Sequence, residues 1–148
     1  MLDFDEPETM YSRRDYEEWV PAGYYAPEFT SRVNQELNRV ASLLPNWDRE
    51  GAPRIDPAII EAARAFISQL PEDLAKVPAV VPMATGNLQF EWNDGPRSLE
   101  LEIETPETIR YLRWYPPEGI EEEDSFHIDD LARAEALIRW FMRGSVHV

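Results

Sequence analysis

Residues 80–115 alternate between apolar and polar side chains, and three turn signals interrupt the alternation. The signals are Thr85-Gly86, Asp94-Gly95 and Pro106-Glu107. Short runs of period two on either side of such dipeptides are typical of β-hairpins. The pattern therefore predicts four antiparallel strands that follow one another as a meander. Because Pro82 cannot donate a backbone hydrogen bond, we expect the first strand at an edge of the sheet.

If each turn signal is a two-residue loop, the cross-strand partners follow. The predicted pairs are Ala79–Trp92, Val81–Phe90, Met83–Leu88, Phe90–Leu99, Leu88–Leu101, Leu101–Leu112, Leu99–Trp114 and Glu100–Arg113. All the apolar partners then share one face, whereas a slip of one residue would scatter them over both. The other face is predicted to be solvated. It would carry Gln89, Glu91, Glu100, Glu102, Glu104, Tyr111, Arg113 and Tyr115.

Apolar residues at helical spacing flank the predicted sheet and would cover its apolar face. The first helix is predicted to run from Thr30 or Ser31 to Leu44. The second begins at Asp56 as N-cap and ends before Pro71. These two helices precede the sheet and would form a helical hairpin.

The residues after the sheet predict a loop and one more helix. Residues 116–124 are predicted as a loop that ends in the acidic run 121–124, and residues 126–128 leave a short fifth strand open. Asp129 or Asp130 would cap the last helix. The fold class predicted is α+β: an antiparallel meander of four or five strands, with two N-terminal helices and one C-terminal helix packed on one face.

The first 28 residues are acidic, interrupted by proline and rich in aromatic side chains, among them Tyr16, Trp19, Tyr24 and Tyr25. Disordered tails usually lack aromatic residues, so this segment is expected to pack either on its own domain or on a partner. We therefore divide the chain into an N-terminal arm, residues 1–28, and a single α+β domain, residues 29–148.

The loop between the first two helices, residues 44–53, has a distinctive composition. Trp47 brings a large apolar ring with one N–H that needs an acceptor. Asp48 is placed to accept backbone N–H groups in an Asx-type turn, and Gly51 permits a positive φ. The loop is predicted to hold the angle between the helices; a binding loop is the alternative.

The same loop and the strands after it resemble a known family. The motifs are Leu44-Pro45, Trp47-Asp48, Gly51-Ala52, Leu70-Pro71, Val80-Val81-Pro82, Gly86, Leu88-Gln89-Phe90-Glu91-Trp92 and Leu99-Glu100-Leu101-Glu102-Ile103. They look like a family of small, largely uncharacterised bacterial proteins, and the resemblance covers about residues 37–142. Members often have a small residue and an aromatic residue at the positions of Arg49 and Glu50. The resemblance implies the fold, and no activity.

Composition and charge limit the kinds of protein this chain could be. Its 148 residues, 43% hydrophobic and 29% charged, suit one soluble domain. There is no cysteine, which removes disulfides and thiolate chemistry and suits a cytoplasmic location. A net charge of −15 argues against direct binding of nucleic acid. No apolar run is long enough to span a bilayer, so no membrane contact is expected.

We find no pattern that predicts catalysis. His127 and His147 lie in different contexts, and no serine or glycine motif of nucleophilic or phosphate chemistry occurs. Glu100, Glu102 and Glu104 are two residues apart along one strand, so their neighbours are roughly 6–7 Å apart and need help from adjacent strands to share an ion. We therefore expect no catalytic residues, no metal and no cofactor.

Three hypotheses remain. The first is an antitoxin-, immunity- or adaptor-like module that binds a protein, which is expected to be basic, through the arm and the polar sheet face; a homodimer is left open. Its candidate contacts are Tyr16, Trp19, Tyr24, Tyr25, Glu91, Glu100, Glu102, Tyr111, Arg113 and Tyr115. The second is a phage or mobile-element inhibitor that mimics nucleic-acid charge. The third is a metal-dependent hydrolase that uses the glutamates.

Overall fold

The computed structural model describes residues 28–74 and 76–146. Its helices are α1 (Glu28–Ala41), α2 (Pro57–Ser68) and α3 (Leu131–Val146), and its strands are β1 (Ala79–Pro82), β2 (Leu88–Asp94), β3 (Arg97–Thr105), β4 (Thr108–Tyr115) and β5 (Ile120–His127). The strands form one five-stranded antiparallel sheet in the order β1-β2-β3-β4-β5. The predicted α+β meander is confirmed, the fifth strand is present, and Pro82 belongs to an edge strand as predicted.

The helix boundaries follow the capping residues in two cases. Asp56 is the N-cap of α2 and accepts the backbone N–H of Ala58 at 2.9 Å. Asp130 accepts the backbone N–H of Arg133 at 3.2 Å at the start of α3. The boundaries predicted for the first helix are wrong: α1 begins at Glu28 rather than Thr30 or Ser31, and it ends at Ala41.

One face of the sheet, the inner face, is packed against the helices. It contributes Val80, Leu88, Phe90, Trp92, Leu99, Leu101, Ile103, Ile109, Tyr111 and Phe126 to the core. Phe66 of α2 stacks on Phe90 with ring centroids 6.3 Å apart. Burial of these side chains is the main favourable contribution to folding.

Two of the three predicted registers between neighbouring strands need correction at their turns. Gly95 and Pro96 form the β2–β3 loop, so Phe90 pairs with Leu101 and not with Leu99. A shift of two residues keeps every side chain on its predicted face. Five residues separate β1 from β2, so Val80 pairs with Phe90 while Val81 lies on the other face.

The β3–β4 register is wrong because of a β-bulge. The loop after Thr105 has two residues as predicted, and Thr105 pairs with Thr108. The register then shifts between Ile103 and Thr105, which leaves Glu104 without a cross-strand partner. Because β3 has this extra residue, the side chains of β4 beyond the bulge lie on the face opposite to the one predicted without a bulge. Ser98 therefore lies across from Trp114.

The acidic run 121–124 was predicted as a loop, and this prediction is wrong. These residues are in the middle of β5, which pairs with β4 along its length. Successive acidic side chains have low strand propensity, but an edge strand exposes most of them to water.

Candidate functional site

The sheet face opposite the core, here called the outer face, is not covered by any helix in the described ranges. Its residues are Ala79, Val81, Gln89, Glu91, Asn93, Ser98, Glu100, Glu102, Arg110, Leu112, Trp114, Glu121, Glu123 and Ser125. Five glutamates and one arginine give this face a formal charge of −4.

Three predicted contact residues, Glu91, Glu100 and Glu102, lie on the outer face. Glu91 and Glu100 are directly opposite each other in neighbouring strands. Gln89 donates to a Glu91 carboxylate oxygen at 2.6 Å, and Asn87 donates to Glu102 at 3.2 Å. The strand pairing therefore brings carboxylates together that alternate along each strand.

The Glu100 carboxylate is partly buried and lies near two other carboxylates. Burial raises its pKa, and the nearby carboxylates of Glu91 and Glu123 raise it further. Leu112 is its partner in β4. Among the residues that the structure describes, none forms an ion pair with Glu100. The charge is thus partly desolvated and uncompensated.

Leu112 and Trp114 add an apolar patch to the outer face, and the sequence prediction missed them because it assigned both to the core. Trp114 is 43% exposed, and the other large apolar side chain that is well exposed in the described ranges is Leu44, at 65%. Glu121 lies across from Trp114, and Glu123 lies across from Leu112. The sequence contained a signal for the other assignment, because Ile109 and Tyr111 are also apolar and lie on the opposite face of the same strand from Leu112 and Trp114.

Tyr111, Arg113 and Tyr115 were predicted on the solvated face, and the bulge places them on the inner side instead. Tyr111 is 1% exposed, and its hydroxyl accepts a hydrogen bond from Arg133 at 2.7 Å. Arg113 forms an ion pair with Glu122, not with Glu100. These contacts are structural, so the three residues are withdrawn from the outer-face site.

The remaining predicted contacts, Tyr16, Trp19, Tyr24 and Tyr25, lie outside the described residues, so the structure places none of them.

The loop after α1 is built by internal hydrogen bonds. Asp48 Oδ1 accepts the N–H groups of Glu50 at 2.8 Å and Ala52 at 3.0 Å, the turn predicted for it. The Ala52 bond, then the Glu50 bond, lowers the Asp48 pKa. Trp47 donates its indole N–H to the Pro53 carbonyl at 2.8 Å, and Gly51 has a φ of +87°.

The residues just after this loop are attached to the sheet. The Asp56 N–H donates to the Gly86 carbonyl at 3.0 Å, which joins the start of α2 to the β1–β2 turn. A Cβ at Gly86 would lie 3.5 Å from the Arg54 carbonyl oxygen. The hydrogen bonds within the loop give Trp47, Asp48 and Gly51 structural roles.

A polar cleft of about 530 Å³ opens at the end of the sheet between the β2–β3 turn and α3. Its lining includes Asp94, Arg97, Tyr115, Trp140 and Arg143. The Arg97 guanidinium lies 4.2 Å from the Tyr115 ring centroid and 4.6 Å from that of Trp140. It also donates to the Trp140 carbonyl at 2.9 Å. Arg97 thus stacks on both aromatic rings and fastens this end of the sheet to α3.

No group of three or more histidine, aspartate or glutamate side chains in the described ranges is arranged to hold a metal ion. His127 accepts the Asp129 N–H at its Nδ1, 3.1 Å away, beside the start of α3. No helix among the described residues is both long and apolar enough to cross a membrane.

Comparisons with known proteins add no relative. No family model, no curated protein and no solved structure matches this chain.

Proposed function

We propose that the chain is a non-enzymatic, cytoplasmic, acidic module that binds a basic protein through its outer face. The observation that carries the proposal is the Glu100 carboxylate. Burial and two neighbouring carboxylates raise its pKa, and no described residue supplies a cation to it. A lysine or arginine of a partner would remove this penalty, because an opposite charge nearby favours the ionised form.

The apolar part of the outer face supports the same proposal. Leu112 and Trp114 stand two residues apart in β4, with Glu100, Glu121 and Glu123 around them. Tryptophan is among the residues that contribute most to binding when an interface buries them. An arginine of the partner is also able to stack on the exposed indole while it pairs with a neighbouring carboxylate.

An antitoxin, an immunity protein or an adaptor would each use a surface of this kind, and the proposal covers all three. Tyr16, Trp19, Tyr24 and Tyr25 of the N-terminal arm are proposed as a second set of contacts with the same partner. The arm and the outer face would then bind the same partner at the same time.

One observation favours a second candidate, an inhibitor that mimics nucleic-acid charge. Glu91, Glu100 and Glu123 are close enough to raise the pKa of Glu100, so negative charge is concentrated in a single row across the sheet. A protein whose basic groove binds phosphates would accept such a row. The inhibitor would compete with DNA or RNA for its target, whereas a general binding module would not.

The experiment is a selection of peptides from a random display library on the full chain, followed by measurement of the affinity of purified peptides. We expect enrichment of peptides with arginine or lysine beside an apolar residue, and weaker binding as salt rises. Trp114→Ala should weaken binding more than tenfold, the effect of a residue at the centre of an interface. Glu100→Gln should weaken binding and reduce its salt dependence.

Two control variants match these changes away from the outer face. Leu44→Ala removes the second well-exposed large apolar side chain of the described ranges, and Glu61→Gln changes the net charge by the same amount on α2. Both should bind the peptides as the wild type does. Failure to enrich basic peptides, or equal effects of Trp114→Ala and Leu44→Ala, would reject the proposal.

A further inference from the structure

β5 is an edge strand, and no strand in the described ranges pairs with the edge of β5 that faces away from β4. β5 has eight residues, twice the length of β1, the four-residue strand at the opposite edge. β1 also contains Pro82, which limits the strand pairing it can extend. Of the two edges, β5 is the one that offers a continuous row of backbone groups.

Two hydrogen bonds show which backbone groups of β5 face away from β4. Ile128 donates to the Glu107 carbonyl at 2.8 Å, at the end of the same register. Pairs that exchange hydrogen bonds alternate along an antiparallel ladder, so the even-numbered residues of β5 bond to β4. The Ser125 N–H instead donates to the Asp124 side chain at 2.8 Å. The backbone groups of Glu121, Glu123 and Ser125 therefore face the free edge.

The side chains of this edge are acidic on both faces of the sheet. Glu121 and Glu123 lie on the outer face, and Glu122 and Asp124 lie on the inner side. Glu122 pairs with Arg113 and Glu123 pairs with Arg110. Among the described residues, Glu121 and Asp124 form no ion pair, so each face has one carboxylate that a cation of the partner could pair with. Asp124 also accepts the Ser125 N–H and lies close enough to Arg133 to interact with it electrostatically.

Charge decides which strand this edge accepts. A second copy of β5 would bring carboxylates directly opposite carboxylates, and like charges in that position are destabilising. Acidic side chains on an edge strand thus disfavour pairing between identical edges. A basic strand meets the opposite situation, because its lysines or arginines would face a carboxylate on either side of the sheet.

We propose that an extended, basic segment of the partner adds to the free edge of β5 as a sixth strand. The inference rests on the proposed function, which it deepens by naming how the partner binds. Main-chain hydrogen bonds to Glu121 and Glu123 would contribute the affinity common to all strand additions. Pairing with Glu121 and Asp124 would contribute the selectivity for basic segments.

The test uses a synthetic eight-residue peptide, Lys-Lys-Thr-Thr repeated twice, which is matched in length to β5 and presents lysines on both faces of a strand. Its binding to the full chain is measured by fluorescence anisotropy, with a glutamate–threonine peptide as the acidic control. Glu123→Pro removes an outward N–H and leaves the β4–β5 bonds intact, whereas Glu123→Ala makes the same change of charge and keeps that N–H. Loss of one hydrogen bond predicts binding about fivefold weaker in Glu123→Pro than in Glu123→Ala.

A second measurement does not depend on the folding of the proline variant. Amide hydrogen exchange of Glu121 and Glu123 in the wild-type chain should be fast without the peptide and slow in its presence, while amides of β1 do not change. The proposal is overturned if exchange does not slow, or if these amides are already protected in the free chain. A wild-type dimer that becomes monomeric in Glu123→Pro would also overturn it. Loss of strand addition with a persistent effect of Trp114→Ala would leave the outer-face proposal standing.

Discussion

The indoles of Trp92 and Trp114 lie on opposite faces of one sheet. Trp92 pairs with Leu99, is 2% exposed and donates its N–H to the Lys76 carbonyl at 2.7 Å. Trp114 pairs with Ser98 and is 43% exposed. The β-bulge at the start of β3–β4 pairing produces this difference, and it separates a core residue from a surface available for binding.

This arrangement predicts very different effects of the same substitution. Trp92→Ala should lower the free energy of unfolding by about 3–5 kcal/mol, because it leaves a cavity in the core. Trp114→Ala should lower it by less than about 1 kcal/mol, as for other surface positions. Urea denaturation of both variants measures the two values. Similar losses for both would place Trp114 in the core and contradict the register.

Glu100→Gln should stabilise the protein at neutral pH. Burial and the carboxylates of Glu91 and Glu123 raise the folded-state pKa of Glu100, so between its unfolded and folded pKa values the folded chain holds more protons. Its contribution to stability therefore decreases as pH rises through that window. Solvent screening limits the gain to less than about 1 kcal/mol.

Denaturation curves of the wild type, Glu100→Gln and Glu61→Gln at several pH values check this prediction. The gain of Glu100→Gln should vanish in acid, where Glu100 is protonated in both states. A variant that is less stable than the wild type at neutral pH would mean that Glu100 has a favourable partner in the free chain.

Asp48 has the opposite pH dependence. Hydrogen bonds from the Ala52 and Glu50 amides lower its folded-state pKa below the ordinary value of 3.8. Its contribution is therefore present above that value and is lost as pH falls through the folded-state pKa. Asp48→Ala should lower the melting temperature at pH 7, and the difference from the wild type should shrink in acid.

Asp48→Asn separates the charge of this side chain from its hydrogen bonds. The amide oxygen still accepts the two N–H groups, so this variant should melt between the wild type and Asp48→Ala. Melting curves by circular dichroism provide the comparison. Equal melting temperatures for all three proteins would show that the turn does not depend on Asp48.

Tyr111→Phe tests the corrected position of Tyr111. The change removes the hydroxyl that accepts from Arg133 at 2.7 Å and should cost about 1 kcal/mol of stability, the usual value of one hydrogen bond. It should leave the affinity for basic peptides unchanged, because the ring faces the core. A binding defect without a loss of stability would return Tyr111 to the outer-face site.

The strand pattern predicted the faces of β2 and β3 better than it predicted their partners. Leu88, Phe90, Leu99 and Leu101 are all on the inner face, although the β2–β3 register is shifted by two residues. Side chains alternate with period two, so an error of two in the turn changes the partners and not the faces. The assignment of side chains to faces is therefore less sensitive to an error in loop length than the assignment of cross-strand partners.

β4 shows where sequence reasoning fails. Ile109 and Tyr111 are apolar at odd positions, while Leu112 and Trp114 are apolar at even positions. Either set could face the core, and the bulge near Glu104 decides between them through packing against β3 and the helices. Candidate contacts on β2 and β3 were therefore placed correctly, and those on β4 were exchanged.

The acidic strand β5 could not be recognised from propensity. Residues 121–124 are all glutamate or aspartate, which are uncommon within strands. Pairing with Arg110 and Arg113 of β4 compensates two of the four charges. Arg110 and Arg113 can be recognised as partners of this strand only after the β3–β4 register is known. The error in the predicted register of β4 therefore also prevented the prediction of β5.

The most direct test of the outer face as the docking surface is a titration of the ¹⁵N-labelled chain with an enriched basic peptide, read at the tryptophan indole N–H signals. The indoles of Trp47, Trp92, Trp114 and Trp140 stand in four different environments, so each reports on its own part of the fold. The Trp114 signal should shift in a saturable, salt-sensitive manner while those of Trp47, Trp92 and Trp140 stay in place. An unmoved Trp114 signal together with a shift at Trp140 or Trp47 would contradict the account.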